Sequence, residues 1–110
     1  MIDSEARGGV TLARLTEKRL DAAAAPGFKT GISGLIEGGA HRIVLDLSGV
    51  AFVDSSGLGA IVSALKQLGS RGDLVLAGLQ PPVKKLLQLT RLDRVFKTYD
   101  TAEDAVAALG

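Results

Sequence analysis

Apolar positions recur along this chain with two periods. From Arg42 onward, short apolar runs alternate with longer stretches whose apolar residues recur every three or four positions. Ile43 to Leu47 has too little alternation for a half-solvated strand, and predicts a buried strand covered on both faces. Leu58, Ile61, Val62, Leu65 and Leu68 then fall on one face of a helix expected to end near Gly69. Ser70-Arg71-Gly72-Asp73 turns the chain into another short buried strand, Leu74-Val75-Leu76-Ala77. Pro81-Pro82 opens a further helix with Val83, Leu86 and Leu87 inward. Val95 to Tyr99 reads as a weaker strand near an edge. Thr101 is placed to cap a last helix, with Asp104 at capping-box spacing and Ala102, Ala105, Val106 and Leu109 as its apolar face.

The N-terminal part has a different rhythm. Ile2 to Ser4 predicts a short strand, and Arg7-Gly8-Gly9 a hairpin turn. Val10 to Leu15 alternates, with Val10 and Leu12 on one face, and reads as the second strand. Thr16 to Asp21 is expected to be a connection. Pro26 suits the first turn of a helix whose stripe is Phe28, Ile32, Leu35 and Ile36 and whose end is Gly38-Gly39. Strands and helices that alternate after Arg42 predict βα units and an α/β fold with a mixed, mainly parallel sheet. The first two strands add an antiparallel piece.

Composition narrows the function classes. A chain of 110 residues, 46% hydrophobic, predicts one domain spanning residues 1–110 with a real core. The net charge of +1 demands neither nucleic acid nor an acidic membrane as partner. There are no cysteines, hence no thiolate site. The start, Met1-Ile2-Asp3-Ser4-Glu5, is polar, and no window approaches the ~20 apolar residues of a membrane helix. The expectation is a soluble cytoplasmic domain. Lys84, Lys85, Arg91, Arg94 and Lys97 form a basic concentration opposed by Asp93, without a nucleic-acid recognition motif, and read as a solvated face.

The chemistry concentrates in Val53-Asp54-Ser55-Ser56-Gly57-Leu58-Gly59, where a loop becomes a helix. A serine there can cap the helix by accepting from first-turn amides. Gly57 and Gly59 each cost roughly 1 kcal/mol against alanine inside a helix, so something approaches the backbone or the first turn is kept bare. Leu58 lies on the apolar stripe, at the margin between core and surface.

The run Asp54-Ser55-Ser56-Gly57-Leu58-Gly59 resembles the signature of bacterial anti-sigma factor antagonists of the STAS domain family. The resemblance extends from about Val10 to the C-terminal end. It implies a mixed sheet with helices packed largely on one side. It implies that Ser55 is phosphorylated by a partner that is both anti-sigma factor and serine kinase, with a histidine-kinase-like ATPase fold. It also implies a PP2C-type phosphatase that restores the unphosphorylated, binding form. Asp21, Asp54, Ser55, Ser56, Gly57 and Leu58 become the partner-binding residues. Leu20-Asp21 matches a family pattern that often reads Gly-Glu-Leu-Asp, but Lys18-Arg19 replaces its first half. The same family leaves two other roles open: a constitutive scaffold and a ligand-binding regulatory module.

Enzymatic readings lack their parts. A receiver-type phosphoaspartate at Asp54 needs Mg²⁺ ligands, and Leu15-Thr16-Glu17 supplies no acidic pair after the strand. A nucleophile elbow needs glycine two residues either side of serine, whereas Ser55 is flanked by Val53 and Gly57. His41 is the sole histidine and is expected in an exposed turn. No metal cluster or cofactor motif is present, so the expectation is a binding protein with no catalytic residues, metal or cofactor.

Overall fold

The structure, a computed structural model, describes residues 1–110. In chain order its elements are β1 (Ile2–Arg7), β2 (Val10–Leu15), β3 (Arg19–Leu20), α1 (Ala25–Glu37), β4 (Arg42–Asp46), β5 (Phe52–Val53), α2 (Ser55–Leu68), β6 (Asp73–Ala77), α3 (Pro81–Leu89), β7 (Thr98–Tyr99) and α4 (Ala102–Leu109). The main sheet has the order β1-β2-β4-β6-β7. Its first pair is antiparallel, in register from Ile2 opposite Leu15 to Arg7 opposite Val10. Gly8 turns this hairpin with φ +56°, a left-handed conformation that glycine adopts without a Cβ penalty. The remaining pairs are parallel, as the βα alternation predicts.

The central strands are buried on both faces. Ala13, Leu15, Ile43, Leu45, Leu74 and Leu76 join a core shared with Phe28, Ile32, Ile61, Val83 and Leu87 of α1, α2 and α3. Val10, Leu12, Val44, Val75 and Ala77 meet Ala105 of α4 on the other face. Helices therefore lie largely on one side, with α4 alone on the other. Thr101 caps α4 as expected, accepting from the Asp104 amide at 3.1 Å.

Four expectations are corrected. β1 runs on to Arg7, because main-chain pairing with β2 holds a strand whose exposed face gives no apolar signal. The region Val95 to Tyr99 is a strand only at Thr98–Tyr99. A 3₁₀ turn at Leu92–Arg94 claims the amides of Val95 and Phe96, which both bond to the Leu92 carbonyl. The buried face of α2 is Gly57, Ala60, Ile61, Ala64 and Leu68, while Leu58, Val62 and Leu65 are half-buried. Small residues turn inward because α1 packs directly against this helix. Finally, the expected connection Thr16 to Asp21 contains β3, which pairs in parallel with β5 to form a separate two-stranded sheet.

Asp46 is the one buried charged residue, 5% exposed at the end of β4. Its Oδ2 accepts from Arg14 Nε at 3.1 Å and its Oδ1 from the Ser48 amide at 3.0 Å. The two bonds fix the exit from the central strand. Asp46→Ala should cost about 1–3 kcal/mol by leaving the Ser48 amide without its acceptor. Asp46→Asn keeps one acceptor oxygen and should cost less. Urea denaturation of the two variants checks the order, and equal losses would contradict it.

Candidate functional site

The small β3–β5 sheet assembles the site. Arg19 pairs with Phe52 and Leu20 with Val53. Leu20 and Val53 are buried, so strand alternation turns Arg19, Asp21, Phe52 and Asp54 toward the outside together. The Ala51 amide bonds to the Lys18 carbonyl at 2.8 Å, and the Asp54 amide to the Leu20 carbonyl at 3.3 Å. This pairing sets the end of the β2–β3 loop against the first turn of α2.

The helix cap is Asp54, not a serine. Asp54 is extended, with φ −101° and ψ −174°, and its Oδ1 accepts from the Gly57 amide at 2.9 Å. Its Oδ2 accepts from the Ala22 amide at 3.2 Å. One carboxylate thus ties α2 to the chain just after β3. A serine has a single oxygen on a shorter arm and could not bridge both. Ser55 and Ser56 are the first two helical residues, and both are exposed. Their hydroxyls and amides make no hydrogen bond within the protein.

Gly57 answers the first of the two glycine questions. A Cβ there would lie 1.9 Å from the Leu20 carbonyl oxygen and 2.8 Å from its carbon. Only a residue without a side chain lets β3 reach the helix at this point. Gly59 is different: a Cβ there would meet nothing within 4 Å, and the residue is exposed. Leu58 is half-buried against the main core, at the margin of the surface.

Asp21 holds the turn that leads into α1, a helix whose own start at Ala24 has no side-chain cap. Its Oδ1 accepts from the Ala24 amide at 3.1 Å, and its carbonyl from the Ala25 amide at 2.8 Å. Its Oδ2 accepts from Arg19 Nε at 3.3 Å. The Ala24 amide holds the Asp21 carboxyl below the usual carboxylate range against the opposing effect of burial, with Arg19 adding a lesser pull in the same downward direction. A depressed folded-state pKa adds stability above the ordinary carboxylate pKa, and that stability is lost as pH falls through the lowered value.

The structure therefore brings Asp21, Asp54, Ser55, Ser56, Gly57 and Leu58 to one end of the molecule. Sequence reasoning missed three participants: the Leu20 carbonyl, the Ala22 amide and the Arg19–Phe52 pair. The first two are main-chain groups without a sequence signal. Phe52 is 39% exposed, with the Arg19 guanidinium 4.1 Å from its ring centre. His41 is exposed, at the opposite end of β4 from the Ser55 loop. Lys84, Lys85, Arg91, Arg94 and Lys97 are all exposed. No group of three or more histidine or carboxylate side chains is placed to hold a metal ion, and no helix is long and apolar enough to cross a membrane.

Comparison with known proteins places this geometry. The profile of the STAS domain matches residues 1–105. The crystal structure of a Thermotoga maritima protein, described as a candidate anti-sigma factor antagonist, is similar with a TM-score of 0.88 and 32% identity, covering 98% of this chain and 93% of that one. The anti-sigma F factor antagonist of Paenibacillus polymyxa is 34% identical over 70 residues, 63% of this chain and 60% of that protein. The Bacillus cell fate determinant SpoIIAA, in its phosphorylated form, is similar with a TM-score of 0.75 and 25% identity over 100% of both chains. The chain spans about three fifths of the length of the curated relatives it matches first.

The two glycines should respond to alanine with opposite signs. Gly57→Ala drives a methyl group into the Leu20 carbonyl and should cost about 1–3 kcal/mol or more, as overpacking does. Gly59→Ala meets open space and should gain about 0.4–1 kcal/mol from the stiffer unfolded chain. Thermal melts of both variants test this, and a stable Gly57→Ala protein would contradict the close approach of β3.

Proposed function

The chain belongs to the STAS domain family, and on that premise we propose that it is an anti-sigma factor antagonist switched by phosphorylation of Ser55. In this reading the unphosphorylated chain binds a cognate anti-sigma factor and frees its sigma factor. The anti-sigma factor is also the serine kinase, with a histidine-kinase-like ATPase fold, and a PP2C-type phosphatase resets the cycle. The chain itself acts by binding rather than by catalysis. The names of the Thermotoga and Paenibacillus relatives support the antagonist role, and the phosphorylated form of the Bacillus relative supports a phosphorylation switch.

The observation that carries the reading is that Ser55 is exposed and has no internal task. Asp54 holds the cap, so modifying Ser55 removes no bond that the fold needs. A phosphoryl group adds about −1.5 to −2 charges. The unengaged amides of Ser55 and Ser56 and the helix dipole favour a negative group there by roughly 0.3–1 kcal/mol. The fold thus tolerates the modification. A docked partner does not, because the dianion must be desolvated beside the Asp54 carboxylate. A tenfold loss of affinity needs only about 1.4 kcal/mol, less than the cost of burying an unpaired charge. Asp21, Asp54, Ser55, Ser56 and Leu58 form the centre of the proposed contact, with the buried Gly57 supporting it from beneath.

The test has two readouts. Incubation with the cognate kinase and ATP should place one phosphate on Ser55, and peptide mapping that finds Ser56 alone would sink the assignment. Calorimetric titration of the anti-sigma partner should then separate Ser55→Ala from Ser55→Glu. Neither change touches the cap, so both should fold within about 0.5 kcal/mol of the parent. The alanine variant should stay bound with ATP present, and the glutamate variant should bind at least about tenfold more weakly. Equal affinities for both variants and for phosphorylated Ser55 would leave a constitutive scaffold as the better reading.

A further inference from the structure

We propose that Arg19, laid over Phe52, selects the partner, and that it receives a partner carboxylate with an apolar neighbour. This rests on the antagonist reading above and names the chemistry of the partner at that site. Arg19 and Phe52 face outward on paired strands, beside the Asp21 turn that leads into α1 and the Asp54 cap of α2. The Arg19 side chain is 61% exposed. Its Nε is engaged with Asp21 Oδ2, while its terminal Nη groups donate to nothing in the protein. Phe52 supports the guanidinium plane from below, so less side-chain freedom is lost when a partner binds it.

Hydrogen-bonding capacity decides what can dock. Both oxygens of Asp54 already accept main-chain amides, and both oxygens of Asp21 already accept donors. Asp54 also sits at the start of α2, whose partial positive charge offsets it. Glu17 and Lys18 are exposed neighbours of opposite sign. Among the groups here with unfilled donors, which include the Lys18 ammonium and the Ser55 and Ser56 hydroxyls and amides, only the Arg19 fork has the planar geometry that fits a carboxylate in bidentate fashion. The exposed part of Phe52 offers apolar contact next to it. Beside the guanidinium opens a hollow of about 640 Å³, lined by residues including Thr16, Lys18, Ala24 and Gly27, with room for the apolar neighbour.

The experiment uses the full chain and the histidine-kinase-like anti-sigma factors of the same genome, each purified singly. The one that binds the parent chain is titrated calorimetrically with Arg19→Glu, Arg19→Lys, Phe52→Ala, Ser55→Glu and Lys66→Glu. Arg19→Glu should weaken binding at least about tenfold, and Arg19→Lys less, since lysine keeps the charge but not the fork. Phe52→Ala should weaken it about threefold or more. Lys66→Glu makes the same charge change about 16 Å along α2 at ~1.5 Å per residue, and should stay within about twofold. Exchanging the partner's carboxylate for arginine should restore Arg19→Glu. Unchanged affinity for Arg19→Glu, while Ser55→Glu releases the partner, overturns this inference and leaves the antagonist reading standing. Equal losses for Arg19→Glu and Lys66→Glu overturn it too, as an effect of net charge alone. Binding by none of the anti-sigma factors overturns both.

Discussion

The contact on which the site depends is the approach of the Leu20 carbonyl to the first turn of α2. It requires a residue without a Cβ at position 57. Once that approach is made, the other contacts have their geometry. The Asp54 amide reaches the Leu20 carbonyl, and the Asp54 carboxylate reaches both Gly57 and Ala22. Two segments far apart in sequence become one rigid surface held mainly by main-chain groups. Main-chain groups do not depend on rotamers, so little side-chain ordering remains to be done when a partner binds this surface.

Pre-organisation bears on how the switch proposed at Ser55 would act. Three of the four helices share the larger core with the sheet, and Ser55 lies outside it. The serine makes no bond whose loss could be relayed inward. A charge added there meets solvent, two unengaged amides and the neighbouring carboxylates. Any transmission through the fold would require an element with two packed arrangements. The first turn of α2 is instead pinned by Asp54 and by the fit of Gly57. A local electrostatic veto at the contact surface suits this arrangement better than a conformational relay.

Much of the fold was legible in the sequence, for identifiable reasons. Strands β4 and β6 are buried on both faces, so their apolar runs are unbroken. Phe28, Ile32 and Ile36 sit deep enough in α1 for burial to follow the helical period. Strand β3 was illegible because two residues have no period, and its bonds to β5 use main-chain atoms that any sequence offers. The inward face of α2 was misjudged because close packing against α1 selects for small size rather than apolarity. Ala60 and Ala64 turn inward there, and Gly57 against β3, while Leu58 stays at the margin. At the site, residue types marked the place but not the roles. Serine and aspartate are both good caps, and the need to bridge two amides gives that role to Asp54.

The same division separates what the fold demands from what a partner reads. Gly57, Asp54 and Asp21 are engaged inward: by the close fit of a carbonyl, by two amides, and by an amide with a guanidinium. Changing them disturbs the scaffold before it alters any external contact. Lys18, Arg19 and Phe52 lie on that scaffold with exposed side chains, and the main-chain pairing of β3 with β5 is indifferent to their identity. A position of this kind can reverse its charge without cost to the fold, because exposed pairs such as Arg19 with Asp21 contribute little to stability. Such positions can therefore diversify among proteins that share one switch. In the proposed reading, discrimination between parallel partner pairs would then reside in β3 and its aromatic neighbour, apart from the serine and its cap.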